Sequence, residues 1–521
     1  MKQIILSLAA GTVLGTVPAL SSAATDVTFS GDIIIRPFYR DNQRDFDSSI
    51  QDQKKFTTER ARLKANIKVD QDIGAVVELM HFRKWGAADP NRVIDAGTGA
   101  NACTSTSTAV PAGGGTPTIT TTCVGGADDN WMDLNQAYIE VKKLFDTNVT
   151  MKVGRQEMAY GDQRLVGNTN FWATYPFPRS YDALKFSAKY DQFDIDAWYA
   201  TITERQLAAI QSPLTSSATA MNSDRAFTGI WATLKNIPNN TIDLYLLNMD
   251  DGGYTGTGTL STYDGTGVAP NLGHFPYLLN TTTGLVGGAQ GGTPSQTKVH
   301  NWGGRLKGKA GNLDYTVELN KQTGKFGGDS ASIDATGGAA TVGYTMPEAM
   351  GLRLVGEYIF ASGDDTPYAG NHKTFYQFTP APHGKLGAQD MVAFQNVKAW
   401  RLGGAFNAKK NLKISVDYWD FKLDKSQDGW YSSNGTTTRG STIGGGAEGL
   451  LADKNIGSEI DITADYNYSP ALSFQAGYSL FNPGSGIKNA ASSATTGVLG
   501  HVTAGKGDSA TFAWGMLLLK F

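Results

Sequence analysis

Thr58-Glu-Arg60-Ala-Arg62-Leu-Lys64-Ala-Asn66-Ile-Lys68-Val69 alternates two kinds of side chain without a break. Ala61, Leu63, Ala65, Ile67 and Val69 fall on one face of an extended chain, and Arg60, Arg62, Lys64, Asn66 and Lys68 on the other. Successive side chains of a strand point to opposite sides, so a period of two separates the sets, whereas a helix would mix them. The segment is a strand with one apolar face and one cationic face.

The pattern recurs. Leu313, Tyr315, Val317 and Leu319 alternate with Asp314, Thr316, Glu318 and Asn320. Leu412, Ile414, Val416 and Tyr418 alternate with Lys413, Ser415, Asp417 and Trp419. Ile460, Ile462, Ala464, Tyr466 and Tyr468 repeat it, and Leu472, Phe474, Ala476, Tyr478 and Leu480 follow at once. Short connections fall near 71–73, 144–147, 191, 237–239, 310–312, 347–348, 409–410 and 469–471. Long ones run over 41–53, 86–130, 156–178, 203–224, 250–298, 322–333, 362–395, 424–453 and 482–507. Nine long and eight short connections alternate strictly, which requires about eighteen strands. Long loops on one side and short turns on the other are the asymmetry of a bacterial transmembrane barrel. A soluble propeller would show neither that asymmetry nor lack its own repeat.

The ends agree. Lys2, an apolar run over Ile4–Leu20 and the small residues Ser21 to Ala24 read as a secretory signal, residues 1–23. Residues 24–521 then form one barrel domain. The terminal Phe521 has Leu519, Leu517, Gly515 and Ala513 at every second place behind it. That is the form of a closing strand, through which the barrel-assembly machinery would take the chain. Beyond the signal, no stretch is long and apolar enough for a membrane helix, and a bilayer accepts only helices or closed barrels. The fold expected is an all-β transmembrane antiparallel barrel of about eighteen strands. Short periplasmic turns and long extracellular loops join them, in the outer membrane of a diderm bacterium.

Composition narrows function. With 45 Lys and Arg against 48 Asp and Glu, the formal charge is −3, which argues against nucleic acid as a partner. Cys103 and Cys123, both in a Gly/Thr/Ser-rich loop, read as one disulfide in an oxidising compartment. The long loops are rich in Gly, Thr, Ser and Asn, and one or more is expected to fold inward and narrow the pore.

Strand parity assigns the lumen. A Lys or Arg facing lipid at mid-membrane costs roughly 2–4 kcal/mol. Arg60, Arg62 and Lys64 should therefore point inward, and the same parity places Lys152, Arg179, Lys185, Arg305, Lys307, Arg353 and Arg401 inside. Glu78, Glu140, Asp194, Asp196, Asp314, Glu318, Glu357, Asp417, Glu459 and Asp461 follow. Arg155 falls on the outward phase, unless Gly154 hosts a bulge that re-aims it. Basic groups gather near 60, 152, 185 and 305, and acidic ones near 194, 316 and 460. Two readings stay open: a transverse field that selects anions through arginine forks, or ion pairs across the wall that keep the lumen wet.

Three segments resemble the alginate-export family of outer-membrane proteins. They are Gly154-Arg-Gln-Glu-Met-Ala-Tyr-Gly-Asp-Gln-Arg-Leu-Val-Gly167 with Trp172 and Arg179-Ser-Tyr-Asp182-Ala-Leu-Lys185; Phe375-Tyr-Gln-Phe-Thr-Pro-Ala-Pro-His383-Gly-Lys-Leu-Gly387-Ala-Gln-Asp390; and Gly457-Ser-Glu459-Ile-Asp461 with Tyr478-Ser-Leu-Phe481-Asn-Pro-Gly484. The resemblance implies an eighteen-stranded barrel with an Arg-lined constriction for an anionic polysaccharide. It also implies that Arg155, Arg164 and Asp182 belong to the substrate pathway, and that His383 and Asp390 shape the pore-mouth loop. The turn Ser469-Pro470-Ala471 is shorter than the late periplasmic turn implied for a dedicated alginate exporter, which favours an open pore.

Enzyme chemistry finds no footing. His81, His274, His300, His372, His383 and His501 show no two-His metal spacing, and no Ser elbow occurs. His372 and His383 share a loop with Asp364, Asp365 and Asp390, which reads as acidic rather than metal-binding. No cofactor is expected. The reading is a channel for small hydrophilic, including anionic, solutes. Export of an anionic polysaccharide such as alginate is one alternative, and a sheath around a partner protein is another.

Overall fold

The structure is a computed structural model. It describes residues 26–43, 46–49, 53–85, 103–107, 119–123, 130–168, 179–203, 225–251, 297–326, 331–366, 370–381, 383–433, 437–439, 453–488 and 507–521. The expected signal, residues 1–23, lies outside the described residues, as do Trp172, His274 and His501.

Eighteen strands form one sheet. They are β1 Asp26–Asp41, β2 Lys54–Lys68, β3 Ile73–Lys84, β4 Asn130–Val141, β5 Val149–Gln156, β6 Tyr181–Lys189, β7 Phe193–Thr203, β8 Arg225–Ile237 and β9 Asn240–Asp251. The second half holds β10 Thr297–Ala310, β11 Leu313–Lys325, β12 Ser332–Met346, β13 Leu352–Ala361, β14 Val397–Lys409, β15 Leu412–Leu423, β16 Asn455–Asn467, β17 Leu472–Pro483 and β18 Ala510–Lys520. Each pairs antiparallel with the next, and β18 returns to β1 with Asp32 opposite Lys520 and Asp41 opposite Thr511. Phe521 completes the seam: Gly31 N–H donates to its carbonyl at 2.8 Å, and its own N–H donates to Gly31 at 3.1 Å. Closure leaves no strand edge, which a bilayer demands because it offers backbone groups no water. Nine longer and eight short connections separate the strands, as the sequence requires.

Parity along the strands separates lipid from lumen. Leu63, Leu319, Leu354 and Leu402 lie exposed on the outer face, and Trp302 and Trp400 stand among them. Arg60, Glu78, Arg305, Glu318, Glu357 and Glu459 are buried on the inner face. Large rings on that inner face need bare backbone beside them. The Trp198 ring crosses Gly229 on the neighbouring strand, where an added Cβ would lie 2.1 Å from the ring. Tyr245 crosses Gly303 in the same way, at 2.0 Å. These interlocks let Trp231 and Tyr245 stack flat, with centroids 4.0 Å apart.

Connections fold inward, which the sequence left undecided. Among the described residues, two that carry charges into the lumen are 157–168 and 362–366 with 370–381 and 383–396. Phe375, Phe378, Leu386 and Phe394 of the second are buried with the strand residues Trp198, Phe227 and Ile359. Each such side chain contributes about 1.5–3 kcal/mol when taken from water, enough to draw the loop inward. A parallel bridge from Val166 to Thr379 joins the loops. Gly167 N–H donates to Thr379 at 2.8 Å, Thr379 N–H to Leu165 at 2.9 Å, and Ala381 N–H to Gln163 at 3.0 Å. The two segments thus act as one body. Cys103–Ser107 and Ile119–Cys123 form a separate hairpin with Cys103 directly opposite Cys123.

Candidate functional site: the charged lumen and its inward loops

The inner wall brings opposite charges together. On β1 to β3, Arg62 Nε donates to Asp32 Oδ2 at 2.8 Å and Arg60 Nη2 to Asp32 Oδ1 at 3.3 Å. Arg62 also lies 3.6 Å from both Glu78 and Glu157. Lys64 follows on the same face. Lys152 lies 3.7 Å from Glu140 and over the Tyr138 ring. Lys185 meets Asp196 at 2.8 Å, beneath the Tyr160 ring. Arg353 donates to Asp314 at 2.7 Å. Arg401 donates to Asp417 at 2.8 Å, reaches Glu357 at 3.3 Å and lies over Trp419.

The first inward loop inserts its own charges into this network. Tyr160 stacks between Trp198 and Trp231 at 4.8 and 5.1 Å. Asp162 then takes Arg305 Nη2 at 2.7 Å and Arg164 Nη1 at 3.0 Å. Arg305 also holds Asp243 at 2.8 Å. Arg164 reaches Glu318 at 3.7 Å and forms a short ion pair with Glu357. Burial opposes ionisation of Asp162, but Arg164 and Arg305 more than offset it, so its carboxyl is held below the usual range. Buried pairs of this kind hold only while complete, because losing one partner strands the other in low dielectric.

The second loop is fastened to β16, two strands along the wall from β14, into which the loop runs. Gln389 N–H donates to Glu459 Oε1 at 2.9 Å, and Ala388 N–H to Asp461 Oδ2 at 3.2 Å. Gly387, at φ 84°, permits this approach: a Cβ there would lie 2.7 Å from the Glu459 carboxylate. His383 Nδ1 lies 2.7 Å from Asp390 Oδ2, with both side chains 8% exposed. The pair is thus an internal clasp of the loop in which the resemblance put both residues. Arg179 precedes β6 and donates to Pro380 O at 3.3 Å, bracing the same loop.

Between the loops and the short-turn end lies a cavity of about 420 Å³. Asp314, Arg353, Glu357 and Arg401 form its wall, and Asp162, Arg164 and Lys385 its roof. Two expectations need correction. Arg155 and Asp182 do not face the lumen. They share the outer phase with Val153 and Leu184, and Arg155 Nε pairs with Asp182 at 2.9 Å and Nη1 with Asp133 at 3.2 Å. Gly154 does adopt φ 122°, yet the register through Gly154–Ala183 and Arg155–Asp182 stays continuous. The bulge sits instead at the neighbouring β3–β4 pairing. Both residues stand next to the long-connection ends of their strands, Arg155 before Gln156 and Asp182 after Tyr181. The second correction concerns the transverse field: the lumenal charges interleave as pairs, so the wet-lumen reading is the one the geometry supports.

The parity argument overlooked Asp162 and Lys385 because they lie in loops. Both stand inside the motif segments, and a charged residue within a Gly-punctuated loop was the available signal. Among the described residues, no cluster of His, Cys, Asp or Glu is arranged to hold a metal.

A closed eighteen-stranded barrel, apolar outside, charged inside and narrowed by its own loops, is the architecture of an outer-membrane porin. The chain belongs to the alginate export family, whose sequence pattern matches residues 26–500. OccD3 (OpdP) of Pseudomonas aeruginosa is similar at 11% identity and TM-score 0.50, over 95% of this chain and 91% of that one. OccAB2 and OccAB4 of Acinetobacter baumannii are similar at 12% and 11% identity and TM-scores 0.50 and 0.52, each over 95% of this chain and 98% of theirs. At these identities the likeness is one of fold. No curated protein matches the chain.

Proposed function

We propose that the chain is a passive channel of the outer membrane that passes small hydrophilic, including anionic, solutes. The observation that carries this is the roofed, charge-lined cavity of about 420 Å³ within a closed barrel. A lumen lined by ion pairs stays hydrated, and two docked loops restrict what enters to small solutes. Export of an anionic polysaccharide is the second reading, favoured by family membership. Against it stand the minimal turn between β16 and β17 and the buried ion pairs that fasten the loops across the path of a polymer. A sheath around a partner protein would need a lumen free of such loops.

The same proposal places residues 1–23 as a secretory signal and residues 24–521 as the barrel. It gives Phe521 to recognition by the assembly machinery, and joins Cys103 to Cys123. Directly opposed residues of an antiparallel pair stand about 4.5–5.5 Å apart at Cα, within the range a disulfide spans. It assigns the chain transport rather than catalysis. Single-channel conductance in a planar bilayer tests it. Steady, ohmic conductance supports the porin, whereas a channel that stays shut until a polymer or partner is added supports the alternatives.

A further inference from the structure

We infer that Lys385, at the tip of the second inward loop, is the residue by which the lumen binds and selects small anions. The inference rests on the channel reading and adds a site to it.

The argument begins with what the other cations are doing. Arg164, Arg353 and Arg401 line the same cavity, and each is matched: Arg164 by Asp162 and Glu318, Arg353 by Asp314, Arg401 by Asp417 and Glu357. A guanidinium already held by carboxylates offers a passing anion little. Lys385 lines this cavity too, yet among the described residues no carboxylate lies within 4.0 Å of it. Among the described residues lining the cavity it is the cation held by no ion pair closer than 4.0 Å, with Asp162, Glu357 and Glu318 acting on it only from farther away.

The loop holds it in place. Gly384, at φ 68°, turns the chain immediately before it. The His383–Asp390 clasp closes the segment that contains it, and Gly384 N–H reaches Asp390 Oδ1 at 3.4 Å. On its other side, Gly387 and Gln389 seat against Glu459. The lysine is thus carried between two anchored points and need not be ordered when a ligand arrives. A cavity of this size suits a small molecule. A lone ammonium is a point charge without the arginine fork. It therefore suits a compact monovalent anion, such as chloride or a short-chain carboxylate met through one oxygen. Burial, with Arg164 nearby, lowers the pKa of the Lys385 amine against the opposing pull of Asp162, Glu357 and Glu318, and a bound anion would add to that pull.

The test is the reversal potential of the purified full-length protein under a KCl gradient, for the wild type, K385Q, K385R and K385E. Calorimetric titration of sodium acetate into the same proteins in detergent accompanies it. R155S, altered on the outer face, is the control. Anion preference should fall severalfold in K385Q, reverse towards cations in K385E and survive in K385R, with acetate binding lost in K385Q alone among the neutral changes. Unaltered selectivity and unaltered acetate binding in K385Q and K385E overturn the inference. A wild type that conducts nothing but binds acetate through Lys385 keeps the site and defeats the channel. Selectivity that responds to chloride but not to acetate assigns the site to inorganic anions.

Discussion

The backbone N–H of Gln389 donates to Glu459 Oε1 at 2.9 Å, and through this bond the inward loop is fastened to a strand on the barrel wall. Glu459 is wholly buried, so the bond is shielded from water and from competing donors. Replacing Glu459 with Ala leaves the Gln389 N–H without its acceptor, at a cost of about 1–3 kcal/mol to loop docking. Single-channel recordings of E459A should show a larger and noisier open level. A wild-type trace would mean that the loop is held by its aromatic packing alone.

Arg164 is the corresponding fastener of the first loop. Its removal takes from Glu318 and Glu357, both buried on the inner face, the cation that the loop supplies, and leaves Glu357 to Arg401 alone. Breaking a buried pair by removing one partner costs about 3–5 kcal/mol. Arg164→Ala should therefore release the loop and increase conductance while the barrel stays folded. Resistance of the 157–168 segment to protease, compared with wild type, reads this directly.

Acid should release the same loop. The folded-state pKa of Asp162 lies below its ordinary value of 3.8. Its contribution to docking is then complete above 3.8 and declines as pH falls from there through the folded value. Conductance fluctuations should rise only in that acidic window. Asp162→Asn should show the elevated fluctuations at neutral pH, with no further step contributed by this residue.

The inner-face interlocks predict an assembly defect. At Gly229 any side chain meets the Trp198 ring at 2.1 Å. Overpacking of this sort costs roughly 1–3 kcal/mol. Gly229→Val should lower the temperature at which the barrel loses its compact electrophoretic mobility. The double change with Trp198→Ala should recover part of the loss, and no recovery would place the defect in the backbone instead.

The outward Arg155–Asp182 pair makes the opposite kind of prediction. Arg155→Ser should leave reversal potential and open level as in wild type, since the side chain lies outside the lumen. A changed selectivity would mean that this arginine reaches the mouth in the membrane. The ion pair is partly exposed, so stability should change by only about 0–1 kcal/mol.

The sequence by itself determined the barrel. Alternation at residues 58–69 and the strict alternation of long and short connections set strand number, strand phase and closure. The reason is physical: with lipid on one face and water on the other, each strand must declare its faces residue by residue. Parity also placed Arg60, Arg62, Arg305, Glu357 and Glu459 on the inner wall. Asp182, which only the family resemblance put in the pathway, lies on the outer face, as the inward phase of Lys185 on the same strand requires. Tertiary structure alone decided which cations meet which carboxylates, because partners such as Arg164 and Glu357 are far apart in sequence and meet only when a loop folds inward. It alone chose those loops, since their docking depends on buried rings, glycines and backbone bonds to distant strands. Lys385 gained its place from that docking: its own neighbours in the chain carry no periodic signal, and the cavity it faces exists only once the ring of strands has closed.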